Sequence, residues 1–274
     1  MTSTQVTLLG AIAGATIFLG LPLGRIKADM PRTRAWLNAL ATGILLFLLW
    51  DVLAHAWEPI DAGLAAKDAA GVAGLALVFA SGIAIGLLSL VYFDRWIAAR
   101  SAVGASRGPG AASVTEFSAV PFSNARTLAM MIAVGIGLHN FAEGLAIGNS
   151  AANGELQLAV LLVIGFATHN ATEGFGIVAP MAAERFRPSW GYLVLLGVIG
   201  GGPTMVGTIV GQQFTSDLMS VAFLTLAAGS ILYVIIELLA VSRRYGMKTV
   251  TTWGLLLGLL LGFATDAIVT LAGA

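Results

Sequence analysis

Two short polar motifs stand out in the chain because each lies inside a long apolar stretch. Residues 139–148 read HNFAEGLAIG, and residues 169–178 read HNATEGFGIV. Each motif places a histidine and a glutamate four residues apart, on one face of a helix, and the asparagine after the histidine is rotated by about 100°. Imidazole and carboxylate groups are good ligands for Zn²⁺ and also bind Fe²⁺, Mn²⁺, Co²⁺ and Ni²⁺. The motifs supply enough ligands for a tetrahedral site: His139, Glu143, His169 and Glu173.

The composition of the chain is that of a membrane protein. Hydrophobic residues make up 58% of the 274 residues and charged residues only 10%, whereas a soluble domain has about 45–50% and about 25%. The net charge is zero and no basic run occurs, so nothing suggests nucleic-acid binding. Cysteine is absent, which excludes disulfides and thiolate metal sites. The absence of thiolates also argues against Cu(I) as the bound metal ion.

The apolar runs predict an all-α integral membrane protein with one transmembrane domain over residues 1–274. A spanning helix needs about 20 mostly apolar residues. Eight runs meet this need: 5–24, 36–56, 71–94, 127–149, 156–181, 190–212, 219–241 and 251–272. Several helix ends are marked by prolines, including Pro31, Pro59 and Pro188. The first run lacks the features of a signal peptide and is expected to be a mature helix.

The basic residues predict the orientation, because cytoplasmic loops hold an excess of Lys and Arg. All 14 basic residues except Lys67 lie in or beside the loops that follow the first, third, fifth and seventh runs. This distribution places both termini outside, in a protein expected at the plasma membrane. The long segment 101–126, rich in Ala, Ser, Gly and Pro, is predicted to be a flexible cytoplasmic loop.

The two glutamates must be compensated if they lie inside a bilayer. A charged residue at the bilayer centre costs about 2.5–3.5 kcal/mol, so Glu143 and Glu173 together would cost about 5–7 kcal/mol. The short loop around residues 150–157 makes the two motif helices antiparallel neighbours, which brings both motifs to similar depth. A cation held between runs four and five would offset the cost. The simpler alternative is hydrogen bonding between helices, typically about 1 kcal/mol or less, but this does not require carboxylates.

The motifs GIGLHNFAEGLAIG and GFATHNATEGFGIVAPM resemble the paired H-N-x-P-E-G and H-E-x-P-E-G motifs of the Zrt/Irt-like (ZIP) family of divalent-metal transporters. The resemblance is specific over residues 127–182 and looser elsewhere. It implies uptake of Zn²⁺, or of Fe²⁺, Mn²⁺ or Cd²⁺, into the cytoplasm as substrate, with no metal cofactor. It also implies that the histidines and glutamates form the main site, that Asn140 and Asn170 adjoin it at a second site, and that the chain forms a homodimer.

The chain departs from the family pattern at three places. Ala142 and Thr172 stand where the family has helix-kinking prolines, which predicts weaker local helix breaks. Asn170 replaces a common acidic residue, and Gly202 stands before a proline where the family often has glutamate. Since the last two departures remove charge, we expect one well-formed metal site and a weak or absent second one.

Further polar residues lie along a candidate pathway. Asp51, His55 and Glu58 share one helix face near the outer end of the second run. They could attract metal to an entrance or simply cap an interfacial helix end. Glu237, four residues after Tyr233, could line the release route or pair with Arg243. Asp217 and Asp266 are expected to be interfacial.

Two other functions use the same ligands. An intramembrane zinc-dependent hydrolase would hold a Zn²⁺ that activates water, but such a site keeps an open position and needs a separate acid or base. No additional Ser or His accompanies the motifs, which favours a transporter over an enzyme. A structural protein with a permanently bound metal is the third alternative.

Overall fold

The computed structural model describes residues 1–25, 31–101, 125–183 and 187–271, and within these ranges every regular element is helical. The predicted all-α class is therefore confirmed for the described residues. Most of the predicted loop 101–126 lies outside them, as do the basic residues Lys27, Arg107 and Arg185.

The described residues form nine α-helices, and the first predicted run, 5–24, is divided between two of them and a 3₁₀ turn. They are α1 (Ser3–Ala15), α2 (Ile17–Gly20), α3 (Pro31–Ala65), α4 (Ala69–Ser101), α5 (Ala125–Ala152), α6 (Leu156–Ala183), α7 (Trp190–Gly211), α8 (Asp217–Tyr245) and α9 (Lys248–Leu271), with a 3₁₀ turn at Leu21–Arg25. Among the described residues, seven segments are long and apolar enough to cross a membrane: Ser3–Gly20, Pro31–Ala65, Ala69–Phe93, Leu156–Val178, Trp190–Gly211, Asp217–Arg243 and Lys248–Ile268. The fourth predicted run corresponds to α5, whose 28 residues extend over about 42 Å.

Local signals set several helix ends. Pro31 opens α3, where its missing N–H costs nothing. Ser189 caps α7 by accepting a hydrogen bond from the Tyr192 amide, and Gly246, with φ of 64°, ends α8 in the left-handed conformation. The prediction that Pro59 ends a helix is wrong, because α3 continues through it to Ala65. Pro59 has no amide to donate to the carbonyl one turn earlier, and membrane helices tolerate such a proline where other groups satisfy that carbonyl.

The polar motifs lie between two apolar clusters. The first contains Phe47 of α3, Phe166 of α6 and Ile231 of α8, all essentially buried. The second contains Ile17 of α2 and Ile177 of α6. Along α6, the second polar motif occupies the turns between Phe166 and Ile177, so it is covered by apolar packing on both sides.

Glycines let the helices around the motifs touch backbone to backbone. A Cβ built on Gly144 of α5 would lie 2.1 Å from the Thr204 carbonyl oxygen of α7, and one on Gly14 of α1 would lie 2.1 Å from the Gly201 oxygen. A Cβ on Gly174 of α6 would lie 2.0 Å from the Ile17 oxygen. The motif glycines thus bring α5 close to α7 and α6 close to α2. Side chains at these positions would force the helices apart.

Candidate metal centre

The helical hairpin of α5 and α6 brings the two motifs together. The turn between the helices contains Gly154, whose φ of 86° suits a glycine. All six polar motif residues are buried, with 7% exposure or less: His139, Asn140, Glu143, His169, Asn170 and Glu173. Burying six polar side chains in an apolar core is costly unless they are paired or bind a ligand.

The histidines and glutamates form a crossed arrangement. Nε2 of His139 lies 2.9 Å from Oε1 of Glu173, and Nε2 of His169 lies 3.0 Å from Oε1 of Glu143. The pairs within each helix are longer, at 4.0 Å for His139 and Glu143 and 3.9 Å for His169 and Glu173. Each histidine therefore approaches the glutamate of the other helix more closely than its own, and the four side chains link α5 to α6.

The spacing of these atoms fits a metal ion of the size of Zn²⁺. Four ligands at about 2.0–2.1 Å from a tetrahedral zinc are about 3.3 Å apart, and the four His–Glu distances lie between 2.9 and 4.0 Å. Ligand atoms of His139, Glu143 and His169 all lie within 4.8 Å of one another. Small movements of these side chains would place their nitrogen and oxygen atoms around one cation.

Neighbouring groups orient the site. Nδ1 of His169 lies 3.3 Å from the Gly165 carbonyl oxygen, which favours a proton on Nδ1 and leaves Nε2 to face the carboxylates and a metal. The asparagine amides are engaged elsewhere: Nδ2 of Asn140 donates to the Gly200 oxygen at 2.8 Å, and Nδ2 of Asn170 donates to the Ala13 oxygen at 3.1 Å. Both hydrogen bonds anchor the motif helices to α7 and α1.

The sequence profile of the ZIP zinc transporters matches residues 99–270, which is more than half of the 274 residues and includes both motifs. The chain belongs to the ZIP zinc transporter family. Members of this family are transporters and not enzymes, and they carry divalent metals as substrates. This ZIP protein is accordingly a multi-pass membrane protein with a buried His/Glu/His group suited to metal binding. No curated protein matches the chain.

The departures from the family pattern have structural counterparts in this ZIP protein. Both α5 and α6 run without interruption through Ala142 and Thr172. A Cβ built on Gly202 would meet only Cγ1 of Val198, at 3.9 Å, and none of the six motif residues within 4 Å. The polar group that α7 presents in this region is instead the buried hydroxyl of Thr204. Sequence reasoning missed this residue, because a single threonine in an apolar helix is common.

The candidate entrance residues lie on α3 as the sequence predicts. Asp51 is buried, His55 is half-buried and Glu58 is exposed. Nδ1 of His55 lies 2.9 Å from the Asp51 carbonyl oxygen and 3.7 Å from its Oδ1. Asp266 of α9 lies close enough to Asp51 for their charges to interact.

The structure adds Glu155, in the turn between α5 and α6, to this group. Desolvation raises the pKa of the Glu155 carboxyl, and the neighbouring His55 opposes the rise, while Glu58 and Asp217 strengthen it. The turn end of the hairpin is thus acidic and adjoins His55. Sequence reasoning missed Glu155, because only the packing of the hairpin turn against α3 reveals its neighbours.

Glu237 is the residue predicted to line the release route or to pair with Arg243. It is half-buried on α8, four residues after Tyr233, and Arg243 is exposed. The group of His139, Glu143 and His169 within 4.8 Å does not include it. A role for Glu237 in the release route remains a prediction.

Proposed function

We propose that this protein carries Zn²⁺, and also Fe²⁺, Mn²⁺ or Cd²⁺, across the plasma membrane into the cytoplasm, with His139, Glu143, His169 and Glu173 as the transport ligands. The observation that carries the proposal is the crossed pairing, in which each histidine lies 2.9–3.0 Å from the glutamate of the other helix. A divalent cation between these groups would neutralise both carboxylates. It would thereby offset the cost of about 5–7 kcal/mol of placing two charged groups in a bilayer.

The proposed topology has eight spans with both termini outside. Family membership supports α5 as the eighth span, alongside the seven apolar segments. The guanidinium groups of Arg25 and Arg126 lie 4.7 Å from the rings of Trp190 and Tyr192, respectively. These contacts bring two basic residues, one from the 3₁₀ turn after α2 and one from the start of α5, to the start of α7, and basic residues gathered at one end of the molecule are what the positive-inside rule requires.

Transport requires access to the site from each side in turn. All six motif residues are buried, between the cluster around Phe166 and the cluster around Ile177. In the proposed cycle, one apolar cluster opens while the other stays packed. The histidines and glutamates then exchange the ion between the entrance at Asp51 and the cytoplasm.

We propose a single well-formed metal site. The side-chain amides of Asn140 and Asn170 donate hydrogen bonds to backbone carbonyl oxygens, and position 202 supplies no carboxylate. Their remaining oxygens are neutral and are weaker attractors for a second cation than carboxylates would be. The homodimer implied by the family resemblance is part of the proposal, and the interface is left open.

The test is uptake of Zn²⁺, Fe²⁺, Mn²⁺ and Cd²⁺ into proteoliposomes, together with the number of metal ions bound per chain. We expect uptake of Zn²⁺ above protein-free liposomes and about one tightly bound ion per chain. Absence of flux for every metal would reject transport, and two ions of similar high affinity would reject the single site. Hydrolysis of a lipid or peptide without flux would favour the enzyme alternative. A bound metal that does not exchange within seconds would favour the structural one.

The entrance hypothesis makes a separate prediction for His55. Replacing His55 with Ala should lower uptake at limiting Zn²⁺ about 2- to 5-fold while leaving the rate at saturating Zn²⁺ unchanged, since an imidazole that binds the ion at the entrance raises its local concentration without changing the transport step. Initial rates over a range of Zn²⁺ concentrations measure both quantities. Asp61→Asn is a matched control, because Asp61 is an exposed acid on the same helix that accepts a hydrogen bond from Trp57. Equal uptake by His55→Ala and wild type at every concentration would reject the relay and leave His55 as an interfacial residue.

A further inference from the structure

The hydroxyl of Thr204 is buried and, within the described residues, has no hydrogen-bond partner. Buried threonines elsewhere in the bundle donate to the carbonyl one turn earlier, as Thr208 does to the Thr204 oxygen at 2.8 Å and Thr225 to the Val221 oxygen at 2.6 Å. The equivalent acceptor for Thr204 is the Gly200 oxygen. That oxygen already accepts from Nδ2 of Asn140 at 2.8 Å.

The Asn140 hydrogen bond therefore leaves Thr204 without its usual acceptor. A carbonyl oxygen has two lone pairs, and within a regular helix one of those on Gly200 accepts the Thr204 amide. Nδ2 of Asn140 donates to the other lone pair. The Asn140 carboxamide of α5 consequently contacts the turn of α7 that carries the Thr204 hydroxyl.

The packing of three helices confines this hydroxyl to the neighbourhood of the site. A Cβ built on Gly14 of α1 would lie 3.1 Å from the Thr204 Cβ, and one on Gly144 of α5 would lie 2.1 Å from its carbonyl oxygen. Gly144 directly follows the ligand Glu143. Thr204 is thus enclosed by α1 and α5 beside the polar motifs, with 0% exposure.

Several other buried oxygens of the described residues near Thr204 also have no hydrogen-bond partner. In the described part of the chain, and apart from Oε1 of Glu143, which is ion-paired with His169, five side-chain oxygens of the motifs and of Thr204 lack a hydrogen-bond partner: Oδ1 of Asn140, Oδ1 of Asn170, Oε2 of Glu143, Oε2 of Glu173 and Oγ1 of Thr204. Leaving one buried polar group unsatisfied costs about 1–3 kcal/mol. Five such atoms around one cluster point to a ligand that satisfies them, such as an ion that retains water.

We propose that Thr204 is a specificity-determining residue of the transport site. This inference rests on the proposed function. The Thr204 hydroxyl lines one side of the His/Glu cluster with oxygen, together with the neutral oxygens of Asn140 and Asn170. The same hydroxyl hydrogen-bonds to a water carried by the ion. Mn²⁺ favours oxygen ligands and octahedral coordination, whereas Zn²⁺ is satisfied by four nitrogen and oxygen ligands. Thr204 therefore widens the selectivity of the site toward Mn²⁺.

The test compares Thr204→Val with Thr204→Ser and with Thr208→Val in proteoliposomes, using Zn²⁺ and Mn²⁺ as the probes. Thr204→Val should lower Mn²⁺ uptake about 5-fold, the effect of losing one hydrogen bond to an ion-bound water, and keep Zn²⁺ uptake within about twofold. Thr204→Ser should retain the wild-type ratio of the two rates. Thr208 is equally buried but has a bonded hydroxyl, so Thr208→Val should change both rates by the same factor.

Thermal unfolding of the metal-free protein separates this role from a structural one. Removing an unsatisfied buried hydroxyl should leave the Tm of Thr204→Val equal to or above that of wild type, whereas Thr208→Val loses a hydrogen bond and should have a lower Tm. An unchanged Mn²⁺/Zn²⁺ ratio in Thr204→Val, equal loss of both ions, or wild type that carries Zn²⁺ but no Mn²⁺ would each overturn the Thr204 inference alone. Wild type that carries neither ion would overturn the proposed function.

Discussion

Replacing Glu143 with Ala should abolish Zn²⁺ uptake into proteoliposomes. Glu143 is fully buried, and its Oε1 lies 3.0 Å from Nε2 of His169 and 4.0 Å from Nε2 of His139. It is therefore the carboxylate next to both imidazoles in the compact three-residue group. Loss of a supporting group around a metal typically costs 10–100-fold in affinity, so loss of a ligand should reduce the initial uptake rate by at least about 100-fold.

The conservative variant and a matched control make this prediction specific. Glu143→Gln keeps the shape of the side chain but removes the negative charge, and we expect it to be nearly as inactive as Glu143→Ala. Glu155→Gln removes the same charge from the exposed turn of the same hairpin and should retain most of the maximal rate. Zn²⁺ uptake by Glu143→Ala above half that of wild type, at equal protein incorporation, would show that the cluster is not the transport site.

Replacing Gly144 with Ala should destabilise the protein and impair transport together. The added Cβ would lie 2.1 Å from the Thr204 oxygen and 2.9 Å from the Thr208 nitrogen, both backbone atoms of α7. Ordinary contact needs 3.4 Å or more, so α5 and α7 must separate by more than about 1 Å. Overpacking typically costs about 1–3 kcal/mol, which for a chain of this size corresponds to a Tm lower by at least about 2 °C. Because Glu143 precedes Gly144, the same shift would displace a ligand and lower the uptake rate.

Gly176→Ala provides the control for Gly144→Ala. Gly176 lies on α6 one turn beyond Glu173, and a Cβ there would meet nothing within 4 Å. Since alanine favours a helix over glycine, the Tm of Gly176→Ala should equal or exceed that of wild type. A Tm measurement in detergent and an uptake assay distinguish the two variants. If both alanines have the same effect, backbone contact between α5 and α7 is not what holds Glu143 in place.

The helices and the candidate ligands could be predicted from the sequence because their signals are local. Long apolar runs must form helices in a bilayer, where each backbone polar group has to be satisfied within the segment. The four-residue spacing of His139 and Glu143, and of His169 and Glu173, placed each pair on one helix face before any neighbour was known. Pro59 shows the limit of local signals, since a proline near a helix end can be tolerated inside the helix.

The partners of these residues could not be predicted, because they depend on how helices cross. Spacing along one helix pairs His139 with Glu143, but the closer contact of His139 is with Glu173, at 2.9 Å. The donation from Asn140 to the Gly200 oxygen depends on contact between α5 and α7. That contact is set by glycines such as Gly144, whose effect on packing depends on the opposing backbone.

The sequence by itself determined the all-helical class, the two polar motifs and the chemical type of the ligands, since each follows from composition and periodicity along a single segment. Only the tertiary structure decided which carboxylate faces which imidazole, that a Cβ at position 202 would lie within 4 Å of none of the six motif residues, and that Thr204 is left with an unsatisfied hydroxyl. Those features depend on distances between residues far apart in the chain. Such distances are fixed when α1, α5, α6 and α7 pack together, because close backbone contact allows only a narrow range of helix positions.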